Sequence, residues 1–392
     1  MNKRDSIRNN MNRMEDFGAR ETAQGSRSVN PIPEHRVFRV SMQIGLMLLM
    51  AVFFSSVGKA QPVTYSGFVD TYYSYNFADP NKQVNNLRNF DIQENQFVLS
   101  LAELVIQKTA SPVGFRVDLD YGATNDVVQP IGSTTAPTSL AFLQQAYVTA
   151  VLPIGSGLTV DAGKFVTHMG YEVIESKDNA NYSRSFLFAY AIPYYHTGIR
   201  LSYPVTSALT ANLHIVNGWN SGIDNNKSKS FGATLNYSPS SNTSFIFNGI
   251  WGHENLVPGE IGARNVYDFI VTQSLSDKFS LGLNADYGEA GTSAGLATWK
   301  GAAVYAKYTI DTLSAIAVRG EAYNDPIGYT TGFAATLKEL TVTLEHKLFG
   351  QLLLRGELRD DFTNIPAFYK NDVNNVTEKQ QLTFLVGAVV TF

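Results

Sequence analysis

Among its 392 residues the chain has no cysteine. That excludes a disulfide framework, a thiolate metal site, a cysteine nucleophile and a lipidated amino-terminal cysteine. From Gln61 onward it also lacks any apolar run of about 18 residues, the least that would cross a bilayer as a helix. Charge is scarce too, 16% of residues against 44% hydrophobic, which is too apolar for a disordered chain. If a membrane holds this protein, its fold must do the holding.

The first 60 residues differ from the rest. Residues 1–34 are polar and of mixed charge; Arg36 and Arg39 then precede an apolar run from Met42 to Val57, and Gly58-Lys59-Ala60 follows. This order of positive, apolar and small-residue segments reads as a signal peptide cleaved after Ala60. The stretch upstream of Arg36 has no structural pattern, which fits a start of translation further along the chain. Residues 1–60 hold 9 of the 30 Lys and Arg and 5 of the 34 Asp and Glu, so residues 61–392 carry 21 basic and 29 acidic side chains. The mature charge of about −8, with no basic stripe, excludes nucleic acid as a partner.

Period-two alternation dominates residues 61–392. In Phe115-Arg116-Val117-Asp118-Leu119-Asp120-Tyr121 apolar and charged residues strictly alternate, and the same beat runs through Phe231 to Tyr237, Leu281 to Tyr287 and Leu352 to Arg359. Successive strand side chains point to opposite faces, so each segment has one apolar and one polar face. Short turn signals at 111–112, 153–157, 204–207, 239–240, 276–278, 311–312 and 349–350 alternate with longer polar connections at 78–94, 123–138, 168–193, 218–228, 254–264, 289–297, 325–331 and 361–379. Short periplasmic turns and long external loops mark a transmembrane barrel. Seven turns and eight loops join sixteen strands of 9 to 13 residues, giving an all-β, antiparallel transmembrane barrel over residues 61–392. The weakest stretch is 332–349, where the apolar parity shifts between Leu337 and Leu340 and a bulge is expected.

Aromatic residues fall at strand ends. Trp219, Trp251, Trp299, Tyr121, Tyr287 and Tyr323 adjoin long loops, and Tyr203, Tyr237, Phe279 and Phe349 adjoin short turns, which predicts two interfacial girdles. The last strand carries Leu382, Phe384, Val386, Ala388, Val390 and Phe392 on one face. Its terminal Phe392 resembles the signal read by the barrel-assembly machinery.

Several short motifs resemble the OmpL-like β-barrel porins of Gram-negative bacteria, those of the Bacteroidetes type in particular. They are Ala102-Glu103-Leu104 with Gly114 to Gly122, Gly163-Lys164-Phe165 leading to Gly170-Tyr171-Glu172, Asn181-Tyr182-Ser183-Arg184-Ser185, and His196 to Tyr203. The resemblance implies an outer-membrane channel and brings no catalytic residue.

A channel of this kind works by geometry, with polar side chains in a water-filled lumen and charge near its narrowest point. By parity the lumen-facing candidates are Arg116, Asp118, Asp120, Asp161, Arg200, Asp286, Lys307, Arg319, Glu321, Glu345, Lys347, Arg355, Glu357 and Arg359. Most of them would pair across strands or stand in water. Long ordered loops are often functional; in the longest connection, Glu172, Glu175, Lys177, Asp178 and Arg184 are candidates for a constriction inside the barrel, a cap on the outer rim being the alternative. The acidic excess predicts a weak preference for cations.

Enzyme readings fare worse. Gly291-Thr292-Ser293-Ala294-Gly295 matches G-x-S-x-G without the helix a nucleophile elbow needs. His168, His196, His214, His253 and His346 are scattered without ligand spacing, and His253-Glu254 reads as a rim pair. No cofactor or metal is called for. Three functions stay open: a passive channel for small polar solutes, a substrate-specific channel or exporter, and a closed structural, adhesive or enzymatic barrel. Outer-membrane lipid is the expected surrounding, and a homo-oligomer is compatible with the sequence.

Overall fold

A computed structural model describes residues 61–129, 138–254, 259–371 and 375–392. The leader and its cleavage point lie outside them. The chain runs through β1 (Val63–Asn76), β2 (Gln96–Lys108), β3 (Val113–Tyr121), the short helix α1 (Ala123–Val128), β4 (Leu143–Leu152), β5 (Leu158–Val166), β6 (Tyr195–Pro204), β7 (Leu209–Val216) and β8 (Ser230–Ser240). It continues through β9 (Thr243–His253), β10 (Glu260–Ser274), β11 (Phe279–Thr292), β12 (Gly295–Thr309), β13 (Ser314–Asp325), β14 (Ala335–Leu348) and β15 (Leu352–Thr363). A small ribbon of β16 (Phe368–Tyr369) and β17 (Val376–Glu378) precedes β18 (Gln380–Thr391).

Among the described residues β1 to β15 and β18 close a sixteen-stranded antiparallel barrel, each strand hydrogen-bonded to its neighbours in sequence and β1 sealed against β18. Closure gives every strand two partners and leaves no edge in lipid. Six of the seven short turns stand where the sequence puts them; the one expected at 239–240 lies at 241–242, because β8 runs on to Ser240. In one of them the Asp311 carboxylate accepts the amides of Leu313 and Ser314 at 2.8 Å, and those bonds hold it below the usual carboxylate range.

Three further local expectations are corrected. The polar connection at 289–297 is strand almost throughout: β11 and β12 run on to a turn of only Ser293 and Ala294. Its glycines suggest a loop but serve close packing and the turn. A Cβ on Gly291 would meet the Gly262 backbone at 2.9 Å, and Gly295 turns at φ +120°, open to glycine. Strands accordingly span 8 residues in β7 to 15 in β10 and β12, a wider range than 9 to 13. The bulge at 332–349 is absent, since β13 and β14 pair without a register shift from Ser314/His346 to Asp325/Ala335. Parity seemed to shift because Leu337 is an inward-facing apolar residue, fully buried, while Leu340 faces outward.

The third correction concerns the girdles. Trp251, Tyr121 and Tyr287 do face outward near the long-loop rim, and Tyr237 and Phe349 are exposed near the other. Trp219, Trp299 and Tyr323 point inward and are buried. Trp299 stacks on Tyr329 with centroids 5.4 Å apart, and its indole N–H donates to the Ala191 carbonyl at 3.1 Å. An indole finds such partners only if protein fills the barrel mouth. Phe90, Phe186, Leu187, Phe188, Ile192 and Phe368 supply that filling, as an apolar core formed by loops inside the wall.

Candidate functional site

The connection between β5 and β6, residues 167–194, turns into the barrel. Irregular backbone in an interior must find acceptors for its amides, and the inner faces of distant strands provide them. Gly170 donates to Asp268 on β10 at 2.8 Å and Tyr171 to Asn284 on β11 at 3.3 Å. Tyr182 and Ser183 donate to the two oxygens of Glu357 on β15 at 2.6 and 3.0 Å. Phe186 and Leu187 donate in the same way to Glu321 on β13, both at 2.6 Å. Two carboxylates therefore each grip a consecutive pair of main-chain amides. Asp70 on β1 accepts the Ser176 and Tyr182 hydroxyls at 2.6 and 2.8 Å.

Loop carbonyls are met by arginines. Arg319 donates to the Ser183 carbonyl at 2.6 Å while pairing with Glu172 at 2.6 Å and Glu339 at 2.7 Å. Arg355 binds the carbonyls of Ser176 and Asn179 and pairs with Glu345 at 2.9 Å; Arg359 binds the Arg184 carbonyl at 2.5 Å and pairs with Asp361 at 2.7 Å. All three arginines are buried. Room for the loop comes from missing side chains opposite it, since a Cβ on Gly282 or Gly387 would meet the Tyr171 or Tyr182 ring at 2.6 Å.

Of the fourteen lumen candidates, all stand on the inner face of their strands, but their surroundings divide them. Arg319, Glu321, Arg355, Glu357 and Arg359 are buried against the loop rather than bathed in water. Arg116, Arg200 and Lys307 keep 34, 25 and 32% of their side chains accessible, above partners Asp118, Asp161 and Glu345 at 0, 8 and 12%. Water thus reaches the lumen at the cationic ends of these pairs. Lys347 is exposed near the short-turn rim. Asp120 and Asp286 are buried. Each faces a second carboxyl across the ladder, Glu103 for Asp120 and Asp268 for Asp286. One oxygen each of Glu103, Asp120 and Asp286 has no hydrogen-bond partner.

The five loop candidates divide similarly. Glu172 is buried, taking the Ser185 amide as well as Arg319. Arg184 is spent inside the loop, on the carbonyls of Tyr182, Val173 and Ile174, beneath the Phe90 ring. Glu175 accepts from Gln144 at 2.5 Å and is half-buried; Lys177 pairs with Asp178, whose side chain is 55% exposed. Glu175, Lys177 and Asp178 are the loop charges within reach of solvent.

Histidines scattered in sequence meet in space. His168 stacks on His214 with centroids 4.0 Å apart and lies 5.7 Å from His196, because the loop folds back over β6 and β7. Among the described residues no group of three or more His, Cys, Asp or Glu is arranged to hold a metal ion. His253 and Glu254 diverge: Glu254 is buried under the Trp219 amide at 2.7 Å and the Ser230 hydroxyl, while His253 is exposed. Gly291 to Gly295 forms the β11–β12 turn, with no helix behind Ser293.

Comparison with known proteins follows the same lines. The profile of the family described as Putative beta-barrel porin-2, OmpL-like, matches residues 62–392. No curated protein matches the sequence. Solved structures with a similar fold include an anion-selective porin from Comamonas acidovorans, at TM-score 0.58 and 12% identity, covering 84% of this chain and 99% of that one. The outer-membrane channel DcaP of Acinetobacter baumannii matches at 0.57 and 10%, covering 86% and 99%. The trimer form of OmpT from Vibrio cholerae matches at 0.55 and 11%, covering 85% and 100%.

Proposed function

The chain belongs to the OmpL-like β-barrel porins and is a channel of the bacterial outer membrane, and from that premise we propose that it passes small polar solutes by diffusion through a lumen narrowed by residues 167–194. The observation that carries this reading is the loop itself, held by inner-face residues of β1, β10, β11, β13 and β15. It leaves accessible charge on Arg116, Arg200 and Lys307 of the wall and on Glu175, Lys177 and Asp178 of the loop. Those six side chains line the proposed constriction. The reading gives the barrel no catalytic role.

A weak preference for cations belongs to the same proposal. The acidic excess of residues 61–392, 29 Asp and Glu against 21 Lys and Arg, supports it, and the four cationic against two anionic side chains at the constriction work against it. The effect is modest because a Debye length of about 8 Å screens a wide pore at physiological salt. Purified protein in a planar bilayer should show single-channel steps and, under a tenfold salt gradient, a small reversal potential of the cation-selective sign. Neutralising Glu175 and Asp178 together should shrink that potential. Absence of conductance rules the channel reading out, and an anion-selective sign rules out the charge argument alone. The volume that the loop occupies favours, as a second reading, a substrate-specific channel, which saturable flux would single out.

Two assignments complete the proposal. The mature chain begins at Gln61, which the amino terminus of protein taken from outer membranes would report. The strand ending at Phe392 is the segment read during assembly, and copies associate as a homo-oligomer.

A further inference from the structure

Residues on the lipid side of the barrel should be apolar, and most are. Polar exceptions such as Thr71, His253 and His346 stand singly, but most of the charged ones cluster. On the long-loop third of β11 to β15 the outward face carries Glu289, Lys300, Asn324, Thr336, Lys338 and Asp360. They lie level with the aromatic belt: Tyr287 opposes Lys300, which opposes Asn324, which opposes Thr336. One row deeper, Ala302, Ala322 and Lys338 oppose one another in turn. The small Ala322 lies in a cleft of about 420 Å³ in the outer wall, lined also by Tyr287, Lys300, Asn324 and Thr336 and, from the inner parity, by Asp286, Gly301 and Tyr323; Lys338 stands outside the lining, across from Ala322.

The acids and bases of this patch differ in one respect. Asp360 takes both of its bonds from the Gln380 amide at 3.0 and 2.9 Å, and Glu289 takes one from Asn265 at 3.0 Å. Neither Lys300 nor Lys338 has a hydrogen-bond or ion-pair partner among the described residues. The carboxylates are thus satisfied within the wall while two lysines, two strands and one row or roughly 12 Å apart along it, are left without partners beside one cleft.

We propose that this cleft binds the phosphorylated sugar headgroup of an outer-leaflet glycolipid. Lys300 and Lys338 meet phosphate as compact point charges, and the Asn324 amide and Thr336 hydroxyl meet sugar hydroxyls. Tyr287 marks the depth at which headgroup gives way to acyl chain. The proposal uses the outer-membrane location and is independent of conduction through the lumen.

The test is thermal unfolding of the purified barrel in detergent micelles with bisphosphorylated lipid A, its dephosphorylated form, or phosphatidylglycerol. The bisphosphorylated lipid should raise the unfolding temperature of the wild type and of Lys108→Ala, a lysine near the opposite rim, but not of the Lys300→Ala/Lys338→Ala variant. Ala322→Trp, which keeps both lysines and fills the cleft, should lose the shift as well, so the proposal stays testable if the double variant folds poorly. An equal shift in both cleft variants overturns it. So does an equal, lysine-dependent shift with phosphatidylglycerol, which would reduce the site to general anion attraction. A smaller particle mass for the double variant would instead assign the patch to contact between copies and overturn it too.

Discussion

Glu357 illustrates what one side chain does here: buried and anionic, it accepts two consecutive loop amides and the Thr343 hydroxyl. Charged hydrogen bonds of this kind contribute about 1.5–3 kcal/mol, and breaking a buried charged network costs about 3–5 kcal/mol. Glu357→Gln keeps the shape but turns one acceptor into a donor facing an N–H. It should lower stability to urea by about 3 kcal/mol and raise single-channel conductance as the loop loosens. Lys347→Gln, at an exposed position on the inner parity of β14, should change neither. If Glu357→Gln matches the wild type in both measurements, the loop is not held by this carboxylate. Alternation placed Glu357, Arg319 and Arg359 on the inner face but could not say what they face there. Period two records the side of the sheet, whereas the occupancy of the lumen depends on partners such as Ser183 and Glu357, 174 residues apart.

Strand by strand, the pattern was most legible where water and lipid flank the wall alone. Leu235 is outward and exposed, and its neighbour Asn236 is inward and half-buried, near the middle of β8. Arginine at a lipid-facing midplane position costs about 2–4 kcal/mol, against little toward a wet lumen. Leu235→Arg should therefore impair folding into phospholipid vesicles, scored by urea titration, while Asn236→Arg should fold nearly as the wild type does. Equal penalties would mean that the register of β8 is inverted. The pattern failed at Leu337, Trp299 and Tyr323 because apolar residues there face a protein interior made by loops and not lipid. It failed at 289–297 because glycine there allows close approach to the Gly262 backbone and also signals turns. Both failures occur near the long-loop rim, where the barrel stops being a two-sided wall.

For the molecule as a whole, the insertion of residues 167–194 imposes an order of events. The loop emerges between the fifth and sixth strands, yet its acceptors on β10, β11, β13 and β15 come later in the chain, up to 175 residues away for Tyr182 and Glu357. Contacts so distant in sequence form slowly, because the intervening chain must be ordered before they contribute. Seating of the loop is therefore a late event, after the second half of the wall exists. The Trp299 indole, bonded to the Ala191 carbonyl, reports it. In refolding of a Trp219→Phe/Trp251→Phe protein from urea into vesicles, the circular dichroism of the sheet should reach its plateau before the remaining tryptophan emission does; coincident traces would refute the sequence. A nascent porin of this design would pass through an interval in which the wall is complete and the passage is still wide, so the cell's exposure to leakage is governed by how fast one internal segment comes to rest.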